Sequence, residues 1–153
     1  RKTWKTTANV SVINSNNPAI NKVPDNCSVL LDVRFIPGED KKAEKVIHSL
    51  LPKGCSMQII AKESYIDTNQ ENDYIKLLAC TAKNIVRKAG NLRGANGSSD
   101  ARHYASIGCP SVEFGPVGSG MASDSEWVNI ESLKKYCRIL VEFLIKVKKV
   151  KKV

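Results

Sequence analysis

Two histidines, a glycine-rich turn and one long loop are the places in this chain where residue type and spacing could support chemistry. His48 lies beside the apolar face of a helical pattern and reads as a surface or half-buried residue rather than a ligand. His103 follows Arg102 and sits three positions after Asp100, so a helical Asp100–His103 pair could touch. Neither H-E-x-x-H nor another compact metal spacing surrounds it. The turn Gly97-Ser98-Ser99-Asp100 precedes a short helix, and open backbone N–H groups there can hold a carboxylate or a developing oxyanion. The same residues also make an ordinary helix cap, which composition alone favours. The loop from Gly115 to Glu126 follows an expected buried strand, where α/β proteins place their sites, and its glycines make it costly to order. Asp124 and Glu126 are its only acids, a poor donor set for a transition metal.

The elements that must position these residues follow from hydrophobic periodicity. Thr7 to Asn14 is rich in strand formers, Asn14 to Pro18 is a turn cluster, and Val29, Leu31, Val33 and Phe35 alternate with Ser28, Leu30, Asp32 and Arg34. This alternation predicts a β-hairpin with Asp32 and Arg34 on one face and the larger apolar residues on the other. Ala43, Val46, Ile47, Leu50 and Leu51 recur at helical spacing up to Pro52-Lys53-Gly54. A strand at Met57 to Ala61 is then expected to complete a β-β-α-β unit. The character changes near Asp67-Thr68-Asn69-Gln70. Tyr74, Ile75, Leu78, Ala82, Ile85 and Val86 predict a second helix stopped by Gly90, and Gly108-Cys109-Pro110 leads into an expected buried strand, Ser111 to Phe114. Asn129 as N-cap, Glu131 in the first turn, and Leu133, Tyr136, Cys137, Leu140, Val141, Leu144 and Ile145 predict a final helix.

Bulk properties narrow the class. A chain of 153 residues with 42% hydrophobic content can build a core. The cysteines, Cys27, Cys55, Cys80, Cys109 and Cys137, are odd in number and form no C-x-x-C pair, so free thiols, mostly packed as small apolar residues, in a reducing, cytoplasmic setting are expected. No apolar run of about 18 residues offers a membrane span, and Arg1-Lys2-Thr3-Trp4 lacks the apolar stretch of a signal peptide. The net charge of +9 is spread along the chain and ends in Lys146, Lys148, Lys149, Lys151 and Lys152, which reads as a solvated helix end rather than a nucleic-acid surface.

Ordered strings carry a resemblance. Asn21-Lys22-Val23-Pro24-Asp25 and Leu31-Asp32-Val33-Arg34-Phe35-Ile36-Pro37-Gly38-Glu39 resemble the N-x-V-P-D and D-x-R-x-x-P-G-E signature of the M20 peptidase dimerisation, or lid, domain. Gly97-Ser98-Ser99-Asp100-Ala101-Arg102, Gly108-Cys109-Pro110, Glu113-Phe114-Gly115-Pro116 and Ser123-Asp124-Ser125-Glu126-Trp127-Val128 resemble the C-terminal part of its catalytic domain. The strings are most similar to those of the succinyl-diaminopimelate desuccinylase and acetylornithine deacetylase type.

The resemblance implies an α/β protein with a partial lid over residues 1–66 and the C-terminal α/β part of the catalytic domain over 67–153. It implies two zinc ions bridged by a carboxylate and a water, with a glutamate as general base, cleaving the N-acyl amide of a small carboxylated amino-acid derivative. It places the H-x-D element, bridging aspartate and Glu-Glu pair before residue 1, so the chain is expected to begin inside the lid. Residue by residue, Arg34 resembles the arginine that pairs with a substrate carboxylate. Asn21 resembles the asparagine that reaches the partner subunit's site, and Gly97 and Ser98 the turn that meets the substrate's acid group. A cross-strand salt bridge is the structural alternative for Arg34. Ala122 stands where the family has a metal-ligating histidine, so no metal ligand and no zinc are expected from this chain alone.

Three readings follow. The chain is a fragment or degenerate copy of an M20 metallohydrolase, homodimeric through its lid and inactive alone; or it is a non-catalytic dimerisation or interaction module, its exposed sheet edge inviting pairing; or, more weakly supported, the lysine tail binds polyanions.

Overall fold

The computed structural model describes residues 4–88 and 90–150, with the backbone alone at Lys149 and Val150. They fall into two compact units, Arg1–Tyr65 with Gly94–Ser98, and Ile66–Arg93 with Ser99–Val153.

In the first unit β1 (Thr7–Asn14) and β2 (Ser28–Arg34) pair antiparallel, as their alternation predicts. Thr7 lies opposite Arg34 and Asn14 opposite Ser28, with an irregularity between Val10 and Val12 that leaves Ser11 outside the ladder. Ser11 Oγ donates to the Leu30 carbonyl at this step. Opposed residues share a face, so Ala8–Val33, Val10–Leu31 and Ile13–Val29 form an apolar face. Thr7–Arg34 and Asn9–Asp32 lie on the other, which turns apolar beyond the bulge at Val12–Leu30.

α1 (Asp40–Ser49) follows, and Lys62 ties the later chain to it through Asp40 (3.0 Å) and Glu44 (3.6 Å). A hydrogen bond from Lys62 holds the Asp40 carboxyl below its ordinary pKa, and Asp40 in turn raises that of Lys62. Phe35 and Tyr65 meet edge to face at 6.1 Å. The expected strand at Met57 to Ala61 does not form: this segment has no ladder partner among the described residues, and an apolar run alone does not make a strand. The β-β-α-β unit is therefore present only as β-β-α.

In the second unit α2 (Asp73–Val86) starts at Asn72, whose Oδ1 accepts from the backbone N–H of Tyr74 at 3.0 Å. It ends at Arg87, which takes the left-handed conformation at φ 60°, so the stop comes before Gly90. α2 packs against α4 (Ile130–Val150), whose N-cap Asn129 accepts from the Ser132 N–H at 2.8 Å. Thr81 and Ile139 are the fully enclosed residues of this pair. Lys146, expected in a solvated tail, instead donates to Thr81 Oγ1 at 3.3 Å. Lys151 and Lys152, like Arg1 to Thr3, lie outside the described residues.

Between the helices come the short α3 (Ala101–Ala105) and a two-residue ladder, β3 (Gly118–Ser119) with β4 (Trp127–Val128). Ser111 to Phe114 is not a strand. The hydroxyl of Thr68 takes the place of a strand neighbour, donating to the Ser111 carbonyl at 2.6 Å and accepting from its N–H at 2.8 Å. All five cysteines are free, as expected, but they are exposed rather than packed inside. No helix among the described residues is long and apolar enough to cross a membrane.

Candidate functional site

Arg34 ends β2, and the residues around that end are held by side chains far apart in sequence. Thr6, half-buried, donates to Glu39 Oε2 at 2.6 Å and accepts from the Ile36 N–H at 3.2 Å, tying the chain just before β1 to the chain just after Arg34. The Thr6 hydroxyl is the main reason the Glu39 carboxyl titrates below its ordinary range. This contribution to stability is present above the ordinary value of 4.5 and is lost as pH falls through the lowered value.

The guanidinium of Arg34 is oriented by two contacts. Nε donates to Asp32 Oδ2 at 2.9 Å, and Nη1 donates to the backbone carbonyl of Asn96 at 2.9 Å. The salt bridge is thus to an acid on the same strand, not across the ladder. Its partners leave Nη2 without an acceptor among the described residues, and the side chain is 46% exposed, open to a ligand from solvent. The Asn96 contact brings the turn Gly97-Ser98 beside Arg34, and the N–H groups of Gly97 and Ser98 have no protein acceptor among the described residues.

Asn21 is not part of this cluster. It lies in the connection that leaves the ladder at Asn14 and Ser28, an end six residue steps of about 3.3 Å, roughly 20 Å, from Arg34. One copy of the chain does not unite Asn21 with Arg34.

Both histidines are exposed. Asp100 pairs with Arg102 at 3.1 Å rather than with His103. Ser99, not Asp100, supplies the cap of α3, its Oγ accepting from the Ala101 N–H at 3.2 Å.

In the second unit, the loop after Gly115 folds onto itself. Gly120 takes φ 75° and lies so close to the Ser125 carbonyl that a Cβ there would stand 2.7 Å from its oxygen. Ala122 takes φ 60°, a conformation a non-glycine residue adopts at a cost, and its N–H donates to Glu126 Oε2 at 3.1 Å. One of the loop's two carboxylates, that of Glu126, is therefore engaged with the backbone at the position of the expected histidine ligand. Among the described residues no group of three or more histidines, cysteines, aspartates or glutamates could hold a metal ion.

Sequence reasoning missed Thr6, Trp4 and Asn96. Trp4 is a large aromatic just ahead of a strand, a signal for packing; Asn96 is the one amide side chain inside a stretch of small residues. Neither signal says what the residue touches.

Residues 1–55 match the peptidase dimerisation domain of the M20 family. The chain is 32% identical over 148 residues to a succinyl-diaminopimelate desuccinylase of Cereibacter sphaeroides, covering 88% of this chain and 38% of that protein. It is 28% identical over 129 residues to that of Wolinella succinogenes, covering 82% and 35%, and 26% identical over 138 residues to that of Caulobacter vibrioides, covering 82% and 34%. The chain thus spans little more than a third of the length of these curated relatives. No solved structure matches it.

Proposed function

Because the chain belongs to the M20 peptidase family, we propose that it supplies an amidohydrolase with a pairing surface and with the grip on its substrate's carboxylate. The observation that carries this reading is the convergence of Arg34 and the Gly97-Ser98 turn in the unit that also holds the dimerisation-domain match. A guanidinium offers a planar fork that fits a carboxylate, and free backbone N–H groups beside it add neutral donors to the same oxygens. The substrate class is a small N-acyl amino acid carrying a free carboxylate, in keeping with the names of the relatives.

Pairing is supported by the hairpin. Each of its strands has one edge without a ladder partner among the described residues, and Ile13 on the apolar face is 69% exposed. Asn21, too far from Arg34 within one copy, is suited to reach the site of a second. The two zinc ions of the family do not fit the residues present, since Ala122 has no donor atom and Glu126 caps its N–H. The chain alone is therefore read as unable to cleave an amide. A non-catalytic interaction module would share the pairing surface but would give the open edge of Arg34 no ligand.

Light scattering on the whole chain tests the pairing. The expected mass is twice that of one 16.8 kDa chain at tens of micromolar, and a strict monomer at several times that concentration would overturn the dimer.

A further inference from the structure

The segment Gly94–Ser98 is far in sequence from the hairpin, yet it belongs to the same compact unit. Three contacts hold it there. The Trp4 ring lies so close to Gly94 that a Cβ at that position would collide with the ring carbons, so only glycine admits the indole as placed. Asn96 Nδ2 donates to the Lys5 carbonyl at 3.2 Å, just before β1. The carbonyl of the same Asn96 accepts from Arg34 Nη1 at 2.9 Å, at the end of β2. One residue thus ties the start of one strand, the end of the other and the turn that follows it.

We propose that Asn96 is a positioning residue that fixes the Gly97-Ser98 turn beside Arg34, so that guanidinium and backbone N–H groups present a single carboxylate-binding site. The inference rests on the carboxylate-binding reading above and adds the part that assembles the site. Its side-chain amide fixes the turn to the strand, and its main-chain carbonyl, with Asp32 on Nε, fixes the rotation of the guanidinium. With Nε and Nη1 engaged, Nη2 is the nitrogen left for a carboxylate, and the Gly97 and Ser98 N–H groups next to the Asn96 carbonyl can add backbone donors to it. Loss of the Asn96 amide leaves the carbonyl contact but frees the turn to swing; Arg34 would still attract an anion, now without the second half of the site.

The test is a titration of the 15N-labelled whole chain with N-acetylglycine, using uncharged N-acetylglycinamide as control, while the Gly97 amide and Arg34 Nε–H signals are followed. In the parent protein both signals move saturably with the acid and not with the amide. Asn96→Ala is expected to weaken binding about fivefold, the scale of one lost neutral hydrogen bond, and to abolish the Gly97 response while keeping that of Arg34. Gly94→Ala, which displaces Trp4, is expected to do the same from the other anchor. The urea unfolding midpoint of each variant shows that the fold persists. Parent-like affinity and a parent-like Gly97 shift in both variants would overturn the role of Asn96, while loss of binding in Arg34→Ala would still uphold the carboxylate reading. No saturable response in the parent protein would overturn both.

Discussion

Arg34→Ala is expected to lower the affinity for N-acetylglycine about 30-fold, the largest effect of any single side chain on binding. Hydrogen bonds to charged groups contribute about 1.5–3 kcal/mol each, and a bidentate pair would exceed that in a closed site. Arg34 is half exposed, so water and salt screen it, and a loss of about 2 kcal/mol is the appropriate scale. Arg34→Lys keeps the charge but not the fork, and neither Asp32 nor the Asn96 carbonyl can then orient it as they do the guanidinium. It should recover only part of the lost affinity. Isothermal titration at low and moderate salt measures both variants; binding unchanged in Arg34→Ala would remove the basis for a carboxylate site.

Ile139→Ala is expected to destabilise the second unit by about 3 kcal/mol, lowering its melting temperature by about 12 °C or more. Ile139 is the only buried hydrophobic side chain among the described residues, at 2% exposure, and it belongs to the α2–α4 contact that holds this unit together. Truncation removes apolar contacts and leaves a cavity that two helices cannot readily close. Ile139→Val, losing one methyl group, should cost about 1 kcal/mol. Thermal unfolding followed by circular dichroism distinguishes them. Equal melting temperatures for both variants and the parent would mean that the helix pair is not what stabilises this unit.

Much of the local structure was legible because it is written in short-range periodicity. The alternation around Asp32 and Arg34 gave β2, and the spacing of Tyr74, Leu78, Ile85 and Val86 gave α2. Asn129 and Leu133 to Ile145 gave α4, its cap included. The two missing strands share one physical cause. A strand exists only with a neighbour to complete its ladder, so the apolar runs at Met57 to Ala61 and Ser111 to Phe114 carried no proof of pairing. Conversely, β3 and β4 pair over two residues each, too short to show any alternation. The helix end at Arg87 was hidden because a non-glycine residue took the left-handed conformation ahead of the available Gly90.

The candidate site was legible only in part. Arg34, Gly97 and Ser98 were singled out by their strings, but what joins them, the Asn96 carbonyl, is a main-chain atom in a residue 62 positions from Arg34. No local pattern encodes such a contact. Asn21 was singled out on the same grounds, and only the register of the ladder shows that it lies at the other end of the hairpin. That Ala122 has no side-chain donor follows from its identity alone, whereas its positive φ and its bond to Glu126 required the structure.

Purified whole chain, loaded with excess zinc, desalted and measured by elemental analysis, probes most directly the separation of substrate grip from metal chemistry. Substoichiometric zinc, with no cleavage of an N-acyl amino acid, is the expected result, because the loop around Ala122 offers no imidazole and has engaged the Glu126 carboxylate. Zinc retained at one equivalent or more per chain, together with amide cleavage that a chelator abolishes, would contradict it.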